Sequence, residues 1–174
     1  MIHLLTRLLL IGFVAMTAPP PAEANTPIPL FRGVQQVGLL CQFDSLDGAM
    51  GAITAAEFCE FALQRWTDAF AGGPKIEIVL LQPNDGRIVA PATLVVTLYG
   101  VARAGGPDLN APGGSVLALA MTLYRRNPAN DLLFGPAPEA VLLSGDEDWR
   151  GEVAPALTRL LFAGAAERLG FGMR

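Results

Sequence analysis

The sequence predicts a single α+β domain: a mostly antiparallel sheet of four to five strands with two helices on one face, in the order β-α-β-β-β-β-α. Three observations carry this. Apolar and polar residues alternate from Gly33 to Phe43, as they do in a half-buried strand. Two later stretches, after Thr54 and around Leu157, repeat apolar residues every three or four positions, which is helix spacing. Between them lie β-branched and aliphatic runs separated by glycine- and proline-rich links, the punctuation of antiparallel strands.

Taken in order, Met1 to Ala24 reads as a secretory signal. Arg7 supplies a positive start, Leu8 to Ala18 is apolar or small, and Ala22-Glu23-Ala24 fits a peptidase site. Pro19, Pro20 and Pro21 stop the apolar run well short of the about 20 residues that a membrane span needs. Residues 25–32, with Pro27 and Pro29, are expected to be an extended arm, and residues 33–174 the single domain. The first strand places Val37, Leu39, Cys41 and Phe43 inward. Thr54-Ala55-Ala56-Glu57 then matches a capping box and starts a helix whose stripe is Ala55, Cys59, Ala62, Trp66 and Ala69. Ala71-Gly72-Gly73-Pro74 ends it.

The second strand is expected over Lys75–Leu81, closed by the turn Pro83-Asn84-Asp85-Gly86, and the third over Ala92–Arg103. The link from Ala104 to Gly114 is too short for a crossover helix, so the fourth strand, Ser115–Arg126, returns antiparallel. A short extended piece at Leu132–Phe134 and a last strand at Glu139–Leu143 follow. The final helix covers roughly Gly151–Leu169 with Leu157, Leu160, Leu161 and Ala165 inward. Pro155, tolerated only in a first turn, moves its regular start to near Ala154.

Composition excludes several chemistries. The only histidine, His3, departs with the leader, which removes Ser-His-Asp and Cys-His mechanisms and histidine zinc sites. The net charge of −4 disfavours nucleic acid, whose binding relies on a basic surface. No cofactor is expected. Cys41 and Cys59 fall on the inward faces of the first strand and first helix, and in an exported chain such a pair is read as a disulfide.

Asp146, Glu147 and Asp148 resemble no calcium loop and suit a helix start, where acids meet the positive dipole end. No Gly-x-Ser-x-Gly elbow surrounds Ser45, Ser115 or Ser144, and Lys75, the sole lysine, sits at a helix-to-strand junction. The remaining candidate is a recognition surface on the sheet face away from the helices. Thr97 and Tyr99 line up there with Thr122 and Tyr124, with Arg126 beyond and Trp149 as a further aromatic.

The order of elements resembles the strand-helix-three-strand-helix modules of bacterial envelope assembly proteins, such as the TolB amino-terminal domain and CsgG. Ser144-Gly145-Asp146-Glu147-Asp148-Trp149-Arg150, leading from a strand into the last helix, is similar to the acidic-Trp stretch of some small exported proteins with that layout. The resemblance implies an interaction module without catalytic residues. The expectation is a non-catalytic adaptor, periplasmic or secreted, that binds another envelope protein by a sheet face or an edge strand. The alternatives are a small-molecule or glycan binder using Tyr99, Tyr124 and Trp149, and, third, a carboxylate-based hydrolase.

Overall fold

The structure is a computed structural model that describes residues 29–50, 53–106, 114–126, 132–144 and 148–170. The expected leader, the first residues of the arm, and Asp146 and Glu147 lie outside the described residues.

The elements are β1 (Gln36–Ser45), α1 (Ala55–Ala69), β2 (Glu77–Leu80), β3 (Thr93–Ala104), β4 (Ser115–Arg125), β5 (Leu132–Phe134), β6 (Glu139–Leu143) and α2 (Trp149–Leu161). They build one six-stranded sheet in the order β2-β1-β3-β4-β5, with β6 also on β4. Pairs β3–β4, β4–β5 and β4–β6 are antiparallel, whereas β1 is parallel to both β2 and β3. β5 pairs with the Leu123–Arg125 end of β4 and β6 with its Ser115–Leu119 end. The two lie end to end along one side of β4, so the sheet is five strands wide.

Both helices cover the same face. Val37, Leu39 and Phe43 of β1, Leu94, Val96 and Leu98 of β3, and Leu117, Leu119, Met121 and Leu123 of β4 meet Phe58, Ala62 and Trp66 of α1 and Val153, Leu157 and Leu160 of α2. Each fully buried leucine or phenylalanine stabilises the fold by roughly 1.5–3 kcal/mol relative to exposure. α1 starts as its capping box requires: Glu57 N donates to Thr54 Oγ1 at 3.2 Å, and Thr54 N donates back to Glu57 Oε2 at 2.8 Å. Its buried stripe is Phe58, Cys59, Ala62 and Trp66. Ala55 and Ala69, expected inward, are exposed, because the bulkier Phe58 sets the rotation of the helix.

α2 begins at Trp149 and not near Ala154. Asp148 caps it, Oδ1 accepting from Gly151 N at 3.1 Å, and burial of the Trp149 ring fixes the first turn. Pro155 lies on the exposed side, where water can satisfy the carbonyl it leaves without a donor. The helix continues as a π turn over Phe162–Ala166. The arm, described from Pro29, is a 3-10 turn that buries Leu30 and Phe31. Arg125 fastens it, donating from Nη1 to Leu30 O and Arg32 O at 3.0 and 2.6 Å and from Nε to Pro91 O at 2.7 Å.

The crossovers explain the second face. The path from β1 to β2 passes through α1 on the helix side. The return from β2 to β3 runs past β1 in the opposite direction, so a right-handed connection must cross on the other side. Leu81 shows that it does: it lies against Gly38, where any Cβ would collide with Leu81 Cδ1. Thr93 and Val95 are buried on this face, so residues 81–92 roof only the half of the sheet near the start of β3.

Three carboxyl groups at the ends of elements, Glu57 exposed and Asp85 and Glu139 half-buried, are held below their ordinary pKa values. The Arg87 side chain, then its amide, takes Asp85 down to about 2. The Thr54 amide and hydroxyl lower Glu57, and the Arg159 guanidinium lowers Glu139. The stability they contribute is full above the unfolded carboxylate value of about 4 and is lost as pH falls through the folded values. Melting temperature is expected to hold steady from pH 7 to about 5 and to fall modestly between about pH 4 and 2. A thermal melt series that rises on acidification across that window would contradict the assignment.

Candidate functional site

The half of the helix-free face that residues 81–92 leave open is the candidate site. Backbone register decides its membership. β3 turns Tyr99, Val101 and Arg103 outward, and across the ladder Tyr99 faces Ala120, Val101 faces Ala118 and Arg103 faces Val116. On β6, Ala140 faces Ala118 and Leu142 faces Val116. On β1, Gln42 adjoins Tyr99 and Asp44 adjoins Val101. The result is a contiguous apolar surface with Tyr99 41%, Val101 39% and Leu142 64% exposed. Ala118 and Ala140 are also exposed. Asp44 stands at one margin and Arg103 at the other, so the rim carries both signs of charge. Exposed apolar patches with polar rims mark interaction surfaces.

The residues expected to form a recognition surface separate into three groups. Tyr99 belongs to the open patch. Thr97, Thr122 and Tyr124 lie on the same face but toward the roofed half: Thr97 pairs directly with Thr122 and is only 8% exposed, and Thr122 and Tyr124 are half-buried. Arg126 is exposed just beyond β4. Trp149 is a correction. It is 7% exposed on the helix side, its ring 5.1 Å from Phe61 and 6.1 Å from Phe58, so it is a core residue. Tyr99, Tyr124 and Trp149 are therefore not gathered in one place. Reading the sequence for polar contacts missed Val101, Ala118, Ala140 and Leu142. The signal was present, because the outward positions of β4 next to Tyr99 carry Val116, Ala118 and Ala120 where a solvated strand would carry polar side chains.

Cys41 and Cys59 form a disulfide with Cα atoms 5.7 Å apart, joining the middle of β1 to the first turns of α1. Beside it Phe58 stacks on Phe43 at 4.6 Å. On the helix side a cleft of about 350 Å³ is lined by Pro136, Ala137, Leu160, Phe162 and Ala163, with the Arg159–Glu139 ion pair at 2.8 Å on its border. Among the described residues no three histidine, cysteine, aspartate or glutamate side chains form a group able to hold a metal ion, and no helix is long and apolar enough to cross a membrane.

No protein-family model matches the chain, and no curated protein sequence matches it. Solved structures of similar layout include the hypothetical protein CT253 from Chlamydia trachomatis, 13% identical with a TM-score of 0.48 over 78% of this chain and 96% of that one. The PelC dodecamer from Paraburkholderia phytofirmans is 9% identical with a TM-score of 0.46 over 76% of this chain and 90% of that one. Both likenesses are weak.

Proposed function

We propose that this chain is a non-catalytic interaction domain of the cell envelope, exported and oxidised, that binds another envelope protein through the open half of its sheet. The observation that carries the proposal is the apolar surface of Tyr99, Val101, Ala118, Ala140 and Leu142, left bare by a connection that roofs only the other half. Its chemistry specifies the partner. The complementary surface is flat and apolar at its centre, with a base opposite Asp44 and an acid opposite Arg103. The apolar leader and the disulfide support export to an oxidising compartment.

Because Val101 and Leu142 are exposed, Val101→Lys and Leu142→Lys are expected to leave the melting temperature nearly unchanged, within about 0.5 kcal/mol of stability. Together they are expected to abolish capture of the partner from an envelope extract that the unaltered protein captures, since two charges would be buried unpaired in the contact. Capture that persists at unchanged strength in the double variant would refute the assignment of this face.

A further inference from the structure

A second surface is written into the main chain of β1. Glu77 N donates to Gln35 O and Leu81 N donates to Leu39 O, so the odd-numbered residues of β1 direct their amides and carbonyls toward β2. β2 pairs only with Gln36–Leu39, whereas β1 runs on to Ser45. Cys41, Phe43 and Ser45 thus present main-chain donors and acceptors along an edge on which, among the described residues, no strand lies. Behind that edge β3 pairs with β1 as far as Ser45 opposite Ala102. The disulfide and the Phe43–Phe58 stack fix it from above. An unpaired edge is a template for another strand.

We propose that two copies of this chain join there, β1 against β1 in antiparallel register about Phe43, so that the two sheets become one. The register follows from what is free. A two-fold axis at Phe43 sets Phe43 opposite its own copy and Cys41 opposite Ser45, and all three positions point outward, so each pair exchanges N–H···O bonds. A centre at Cys41 would bring Phe43 against Leu39, whose main chain already accepts from Leu81. Beyond Ser45 the chain leaves the edge in a 3-10 turn over Leu46–Gly48, and Ala49 O accepts from Ser115 Oγ on β4, so nothing runs on into the second copy's β2. In this register Gln42 faces Asp44 twice, at the pairs whose side chains approach most closely, and both residues are exposed. The Gln42 amide can donate to the Asp44 carboxylate, and no like charges oppose each other.

This pairing rests on the main-chain edge of β1 and not on the apolar centre of the open sheet face; Gln42 and Asp44 border both, whereas Val101 belongs to the open face alone. The test is sedimentation of the oxidised mature protein over about 1 µM to about 1 mM. A concentration-dependent dimer is expected. Gln42→Asp places an aspartate against Asp44 at both ends and is expected to weaken the dimer about tenfold. Adding Asp44→Lys to that variant restores opposite charges and the association. Unchanged melting temperatures would show that all variants remain folded. A monomer at every concentration, a dimer indifferent to Gln42→Asp, or one abolished by Val101→Lys instead would overturn the proposal.

Discussion

Replacing Phe58 with alanine is expected to destabilise the protein by about 3–5 kcal/mol. Its ring is fully buried at the junction of three elements, stacked on Phe43 of β1 at 4.6 Å, 6.1 Å from Trp149 of α2, and directly above Gly100 of β3. A Cβ on Gly100 would lie 3.2 Å from the Phe58 ring and 3.0 Å from that of Phe43, so the glycine leaves the room that both rings fill. Alanine would open a cavity bordered by β1, β3 and α2 at once, and those backbones are too firmly hydrogen-bonded to collapse into it. Urea titration should show the midpoint falling without a change of slope, and a thermal melt should fall by roughly 10 °C for a chain of this size. A loss below about 1 kcal/mol would mean that the helix face is not packed as described.

Removing the disulfide is expected to cost about 3 kcal/mol, since it closes a loop with a sequence separation of 18. Cys41→Ser with Cys59→Ser tests this by denaturant unfolding, with the unaltered protein in reductant as the second arm. The bond also aligns α1 over β1, so its loss should loosen Cys41–Ser45 in hydrogen exchange before it affects β4, which has strands on both sides. Two alkylatable thiols in protein taken from its own compartment would contradict both the bridge and the export reading.

Much of this architecture was legible in the sequence wherever local chemistry decides. Thr54 and Glu57 specify a helix start by themselves, and the alternation through Val37, Leu39, Cys41 and Phe43 specifies an inward face. From those two the cysteine pairing follows, because both sulfurs lie on faces that must meet. Strand order was not legible, since nothing within β1 records that its neighbours are the parallel β2 and β3. That long-range fact in turn decides which half of the second face is roofed, and so why Thr97 is covered while Val101 is bare. Trp149 misled for a related reason. Its acidic neighbours suggest a surface, but Phe58 and Phe61 draw its ring into the core.

The docking role of the open sheet face is tested most directly by photo-crosslinking in the producing cell, with the reactive side chain placed at Val101 in one strain and at exposed Gln64 on α1 in another. A discrete adduct from Val101, absent from Gln64 and lost when Leu142 is replaced by lysine, is the predicted result. Adducts from Gln64 with none from Val101 would contradict it.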